Sequence, residues 1–166
     1  EYVDAAKQIL QKNENAEFHV LGDIDNDNPT ANKKEELEDW IRQKSIIYHT
    51  HTKDTRPFIY ATDCVVLPSY REGMPRVILE GMAMGKPCIT TDAPGCKDAV
   101  IDGESGFLCR AADVISLKES MERFIAAEKT YKIQIGKNAR KRAENIFSTE
   151  AVNLTYINLL SNFGQF

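Results

Sequence analysis

The sequence predicts a three-layer α/β/α domain, in which helices cover both faces of a mostly parallel β-sheet. Segments with helical periodicity alternate along the chain with short apolar runs typical of strands. This alternation predicts parallel pairing, because each helix carries the chain back to the same end of the sheet. The apolar run at 64–69 has no polar alternation, which is typical of a strand covered on both faces. The chain of 166 residues, 42% hydrophobic and 28% charged, has the size and composition of one globular domain, 1–166.

The first half of the chain predicts helices and strands from local patterns. Apolar residues recur at helical spacing from residue 2 to residue 10, which predicts an opening helix. Thr55 is a candidate cap for a short helix that contains Pro57. In order, this half predicts a helix from residue 2, a strand at 16–22, a helix at 32–44, a strand at 45–50, a short helix at 55–62 and a strand at 64–69.

The second half adds two strands and ends in a long helical region. Beyond residue 113 the pattern is helical, with breaks near Thr130 and Ser148, so that 149–166 forms a terminal helix. In order, this half predicts a helix at 75–84, a strand at 87–92, a turn at 93–95, a short helix near 96–100, a strand at 106–109 and helices over 113–163.

The predicted topology places the polar loops at one edge. Ligands of open parallel sheets bind in the crevice beyond the carboxyl ends of the strands. We therefore expect the loops that leave those ends to lie close together: 23–31, 50–54, 69–74 and 92–96.

Composition and charge limit the classes of partner and the cellular location of the protein. The net charge of −4 argues against non-specific binding to nucleic acid, which needs a basic face. No run approaches the roughly 20 apolar residues of a membrane span, and no signal-peptide pattern opens the chain. The cysteines lack C-x-x-C spacing, and we expect them to be reduced thiols in a cytoplasmic protein. Peripheral contact with the inner face of the membrane stays open, because a basic run occupies 137–145.

The stretch 67–87, LPSYREGMPRVILEGMAMGKP, places two carboxylates around a predicted helix start. Pro75 suits the first helical position, and the amides that follow it would lie at the positive end of the helix dipole, where anions bind. Glu72 precedes this terminus and Glu80 lies one helical turn beyond Arg76, so both could accept hydrogen bonds from ligand hydroxyls. An ordinary surface ion pair between Arg76 and Glu80 is the simpler alternative.

The segment 67–108 resembles the C-terminal domain of retaining GT-B glycosyltransferases of group 1 (family 4). Their E-x7-E motif is present as Glu72 and Glu80, and it is followed by "GKP" and a G-x4-V-x2-G-x2-G pattern. The four positions of that second pattern are Gly95, Val100, Gly103 and Gly106. The resemblance implies a Rossmann-like domain that forms one half of a GT-B fold.

The resemblance also implies roles for individual residues. Glu72 would contact the donor sugar, as a positioning residue in catalysis, and Glu80 would bind the ribose hydroxyls of a nucleotide-sugar. The amides of four residues would line the sugar and the diphosphate: Gly73, Met74, Arg76 and Val77. The base would lie near the end of the strand at 45–50, around Tyr48, His49 and Thr50. No metal or other cofactor is implied.

Similar proteins carry a further strand and a whole N-terminal Rossmann domain ahead of the first helix of this chain. The resemblance therefore implies a fragment, the donor-binding half of an enzyme that is inactive alone. The intact enzyme would transfer a sugar from a nucleotide diphosphate sugar, with UDP favoured over GDP, to a glycan or lipid-linked glycan in polysaccharide biosynthesis. A sugar-nucleotide epimerase with GT-B domains and a non-catalytic nucleotide-binding module are the alternatives.

Two short motifs offer a metal-dependent alternative. Asp23, Asp25 and Asp27 match the first positions of a calcium loop or the D-x-D of metal-dependent transferases, but Asn28 and Lys34 depart from the calcium pattern. The sequence HTH places histidines at 49 and 51 on one face of a continued strand, without a third ligand at convincing spacing. We expect a solvated turn at 23–28 and no metal site.

Overall fold

The structure, a computed structural model, describes residues 1–24 and 33–163. Its helices and strands follow the predicted order. The helices are α1 (Tyr2–Leu10), α2 (Lys34–Arg42), α3 (Arg56–Ala61), α4 (Arg76–Ala83), α5 (Cys96–Ala99), α6 (Val114–Ala126), α7 (Lys129–Arg142) and α8 (Thr149–Phe163), with a π-helical turn at Ala143–Phe147 between the last two. The strands are β1 (His19–Leu21), β2 (Ile47–His49), β3 (Val65–Leu67), β4 (Cys88–Thr91) and β5 (Phe107–Cys109).

Every pairing among these strands is parallel, as predicted. β1 pairs with β2, and β4 lies between β3 and β5. The strands form two sheets rather than one, and in the described part of the chain β1 and β3 each pair on one side only. A groove of about 1060 Å³ lies between them, lined by both strands and by residues of α3 and α6.

Helices cover both faces of the sheets, which confirms the three-layer prediction. Successive strand residues point to opposite faces; Cys88 therefore joins one core cluster and Ile89 the other. The first cluster is closed by α1 and α6, which pack on each other, and it contains Ile9 and Leu117. The second is closed by α4, α5 and α7 and contains Ile78. Within residues 1–24 and 33–163, none of the helices has both the length and the apolar content that crossing a membrane requires.

Besides the π-helical turn, local details differ from the sequence prediction at three places. Pro75 is the N-cap of α4 rather than its first helical residue, so the helix begins at Arg76. The break predicted near Thr130 lies at 127–128, where Ala127 and Glu128 both have extended backbone angles. Thr55 is the N-cap of α3, but its side chain makes no capping hydrogen bond.

Candidate nucleotide-sugar site

The loops at the carboxyl edge contact one another in pairs, as the topology predicts. Asp23 follows β1 and accepts a hydrogen bond from the His51 amide, which follows β2 (3.1 Å). The Glu72 amide, in the loop after β3, donates to the Pro94 carbonyl, which follows β4 (3.2 Å). Residues 25–31 of the first loop lie outside the described residues. The described loops therefore meet in two pairs, one pair on each sheet.

The loop that carries Glu72 rests on β4 and on the turn after it. Thr91 donates its hydroxyl hydrogen to the Ser69 carbonyl at 2.5 Å, which fixes the start of the loop. Gly95 has a φ of +82°, and a Cβ there would lie 2.2 Å from the carbonyl oxygen of Glu72. Only glycine fits this contact. The Gly95 amide in turn donates to the Asp98 carboxylate at 3.0 Å, which holds the turn against α5.

The N-terminus of α4 is open at the same edge. The amides of Ile78 and Leu79 donate to the Pro75 carbonyl at 3.0 and 3.1 Å. Within the described residues, the amides of Arg76 and Val77 have no backbone acceptor, as the first turn of a helix leaves them. Gly73, Met74 and Arg76 are exposed, so a ligand has access to this terminus. These amides and the helix dipole suit an anionic group such as a phosphate.

Glu80 is half-buried and faces α3. Its Oε2 accepts a hydrogen bond from the Thr55 hydroxyl at 3.0 Å. Arg76 forms no ion pair with Glu80 in the part of the chain that the structure describes. The simpler alternative raised by the sequence is therefore not observed there. Sequence reasoning missed Thr55 as a partner of Glu80 and assigned it only a capping role.

The residues predicted to lie near the base have structural contacts of their own. Tyr48 donates its hydroxyl hydrogen to the Gly22 carbonyl at 2.7 Å. The His49 ring stacks on His19, with Nε2 of His49 2.9 Å from Nδ1 of His19. Thr50 is exposed where β2 ends. The histidine pair was not predicted, because His19 and His49 lie on different strands that become neighbours only in the sheet.

The metal alternatives gain no support from the geometry of the described residues. Asp25 and Asp27 lie outside those residues. His49 pairs with His19 rather than with His51. Within residues 1–24 and 33–163, no three His, Cys, Asp or Glu side chains are grouped as metal ligands.

The thiols are core residues rather than nucleophiles. All four cysteines are free, and Cys88, Cys96 and Cys109 are buried. Burial raises the pKa of Cys88 to about 12 and, as the main cause, that of Cys109 to about 11. Burial likewise raises the pKa of Cys64 well above its usual value. Cys64, Cys88 and Cys109 therefore stay neutral thiols at neutral pH.

Parallel strands, helices on both faces and functional loops at the carboxyl edge define a Rossmann-like α/β domain. The chain belongs to the family Glycosyl transferases group 1, whose model matches residues 2–127. The fold is that of one Rossmann-like half of a GT-B glycosyltransferase.

Two relatives and one solved structure illustrate the similarity. The Staphylococcus aureus capsular polysaccharide biosynthesis glycosyltransferase CapM is 30% identical over 155 residues, which are 92% of this chain and 39% of CapM. The Escherichia coli UDP-Gal:alpha-D-GlcNAc-diphosphoundecaprenol alpha-1,3-galactosyltransferase is 29% identical over 167 residues, covering 97% of this chain and 42% of that protein. The crystal structure of Anabaena Alr3699/HepE in complex with UDP has a TM-score of 0.83 at 23% identity, with 97% of this chain and 44% of that chain covered. The chain thus spans about two fifths of the length of each of these three proteins.

Proposed function

We propose that this chain is the donor-binding half of a retaining GT-B glycosyltransferase. The intact enzyme transfers a sugar from a UDP-sugar to a glycan or lipid-linked glycan in polysaccharide biosynthesis. The observation that carries the proposal is the open N-terminus of α4, with Glu72 in the loop before it and Glu80 in its second turn.

Each part of this edge suits one part of a nucleotide-sugar. Glu80 accepts hydrogen bonds from the ribose hydroxyls. The exposed end of α4, with the amides of Gly73, Met74, Arg76 and Val77, binds the diphosphate and the sugar. Glu72 positions the donor sugar. The base lies near the end of β2, at Tyr48, His49 and Thr50.

Catalysis in this proposal is electrostatic. The bond between the anomeric carbon and the diphosphate oxygen breaks, and its electron pair stays on the diphosphate. The amides and dipole of α4 stabilise the negative charge that develops there. The acceptor oxygen attacks the anomeric carbon from the face that the diphosphate leaves, which preserves the configuration, and its proton passes to the departing diphosphate oxygen.

The relatives support the choice of donor and acceptor. UDP is bound in the Anabaena structure, and the Escherichia coli relative is named for UDP-Gal and a diphosphoundecaprenol acceptor. CapM is named for capsular polysaccharide biosynthesis. A UDP-sugar donor and a glycan or lipid-linked acceptor agree with all three names.

The groove between β1 and β3 supports the proposal that the chain is part of a larger protein. Both strands have a side without a partner in the described residues, and the groove between them is lined largely by apolar side chains, including Phe18, Ile59 and Val65. We propose that a strand from the segment preceding residue 1 fills this groove and joins the two sheets. The chain alone then binds the donor weakly and has no transferase activity.

Replacing Glu80 tests the proposal directly. Glu80→Ala should weaken UDP binding to the intact protein by about 1.5–3 kcal/mol, because a carboxylate loses its hydrogen bonds to ribose hydroxyls. Titration calorimetry measures this as a rise in Kd of roughly 10- to 150-fold. Glu119→Ala is the matched control, since Glu119 is exposed on α6. Unchanged UDP affinity in a folded Glu80→Ala protein would remove the ribose role.

A further inference from the structure

The hydroxyl of Thr55 is directed to Glu80 although its own helix offers it another partner. Thr55 is the N-cap residue of α3, a position where threonine commonly accepts a hydrogen bond from the first turn. Here its side chain makes no capping bond and donates to Oε2 of Glu80 at 3.0 Å. Asp54 supplies the side-chain acceptor at the helix start instead, because its Oδ1 accepts a hydrogen bond from the Arg56 amide at 3.1 Å.

The backbone around Thr55 is held independently of Glu80. The amide of Asp54 donates to the Thr52 hydroxyl, and that hydroxyl donates to the Asp54 carbonyl, both at 3.2 Å. Earlier in the same loop, the His51 amide donates to Asp23. The Asp54 carboxylate also binds the Arg56 guanidinium, at 2.7 and 2.9 Å. These bonds fix the backbone at Thr55, so its hydroxyl can hold the longer side chain of Glu80 in place by a hydrogen bond.

This contact limits the orientation of the Glu80 carboxylate. A free glutamate side chain has several rotatable bonds, and ordering it when a ligand binds costs conformational entropy. The Thr55 bond occupies one lone pair of Oε2. Oε1 and the other lone pair of Oε2 remain able to accept hydrogen bonds from neighbouring ligand hydroxyls.

We propose that Thr55 is a positioning residue, which holds Glu80 ready to bind the two hydroxyls of the donor ribose. The inference rests on the proposed function, because it assumes that Glu80 binds ribose. It adds that the loop between β2 and α3 controls affinity for the nucleoside through a side chain on α4. Thr55 itself need not touch the ligand.

The test compares two ligands on the intact protein, UDP and 2′,3′-dideoxy-UDP, by titration calorimetry. Thr55→Val should raise the Kd for UDP by about 5- to 10-fold, the effect of one lost hydrogen bond. The Kd for dideoxy-UDP should not change, because that ligand has no hydroxyls for Glu80 to bind. Thr55→Ser keeps the hydroxyl and should retain wild-type affinity for UDP.

A variant at the other end of α3 separates positioning from general stability. Thr62 donates its hydroxyl hydrogen to the Cys64 carbonyl at 3.0 Å, so Thr62→Val also removes a threonine hydrogen bond beside this helix. It should lower the melting temperature without changing the Kd for UDP. Equal effects of Thr55→Val on the two ligands, or no effect on either, would overturn the inference.

The outcomes distinguish this inference from the function on which it rests. If Glu80→Ala weakens UDP binding and Thr55→Val does not, the ribose role stands and the positioning role is wrong. If Glu80→Ala leaves UDP binding unchanged, the ribose role in the proposed function is wrong, and the positioning role of Thr55 is wrong with it.

Discussion

Gly95, in the turn after β4, fixes the position of the neighbouring loop that carries Glu72. The positive φ of Gly95 and the 2.2 Å separation between a built Cβ and the Glu72 carbonyl oxygen leave no space for a side chain. The contact is with backbone, which cannot rotate away as a flexible side chain would. The position of the carboxylate therefore depends on a residue that follows a different strand.

Gly95→Ala should displace the Glu72 loop. We expect turnover in the intact protein to fall by about 100-fold, since a displacement of about 1 Å in a positioning group has effects of that size. Steady-state kinetics measures the loss. Gly103→Ala is the control, because Gly103 also has a positive φ (+73°) but a Cβ there would meet nothing closer than the Tyr131 hydroxyl at 3.9 Å.

Both alanine variants should lose stability, by about 1–3 kcal/mol for the strained backbone. Of the two variants, only Gly95→Ala should also have a lower turnover. Equal activity in the two variants would show that the Gly95 contact does not position Glu72.

The sequence predicts the two carboxylates but not the residues that hold them. Glu72 and Glu80 lie in one short motif, so their spacing is visible in the chain. Thr55 lies 25 positions from Glu80. Its position at the start of a helix predicts a capping role, but in the folded protein its hydroxyl binds Glu80 instead.

At the scale of elements, α5 connects the Glu72 loop to the C-terminal helices. Arg142, at the end of α7, donates from Nε to the Ala99 carbonyl at 2.7 Å and from Nη2 to the Asp98 carbonyl at 2.8 Å. These are carbonyls at the end of α5, where a positive charge is favourable. The same guanidinium lies over the Phe147 ring, 5.7 Å from its centroid, beside the π-helical turn.

Arg142→Ala should destabilise the protein by about 1.5–3 kcal/mol, because two carbonyls lose charged donors. Urea unfolding monitored by circular dichroism measures the change. Lys141→Ala removes a neighbouring exposed charge and should change the free energy of unfolding by less than about 0.5 kcal/mol. A similar loss in both variants would contradict this role for Arg142.

Element order was predicted throughout because periodicity is a local signal. The π-helical turn at Ala143–Phe147 was not predicted, since nothing local in the sequence distinguishes it from the end of α7. The sequence predicted the start of α4 one residue early, because Pro75 suits both the N-cap and the first helical position.

At the scale of the whole molecule, the groove divides a sheet that the sequence predicted as continuous. Local patterns predict strands but not which strands are neighbours. Residue 1 lies at the carboxyl end of β3, where the Tyr70 hydroxyl donates to the Glu1 carboxylate. A strand that ran parallel to β1 and β3 would end at this point and lead directly into α1.

Hydrogen exchange tests whether a strand fills the groove. In the 166-residue chain, the amides of β1 and β3 should exchange faster than in the intact protein, because one side of each strand has no partner among residues 1–24 and 33–163. β4 is paired on both sides and should be protected equally in the two samples. Equal protection of β1 and β3 in both samples would contradict the proposal.

A crystal structure of the intact protein with a bound UDP-sugar tests the central claim most directly. We predict the diphosphate at the N-terminus of α4, the ribose hydroxyls within hydrogen-bond distance of Glu80 and the sugar beside Glu72. Ligand density at another surface, with this edge empty, would contradict the account.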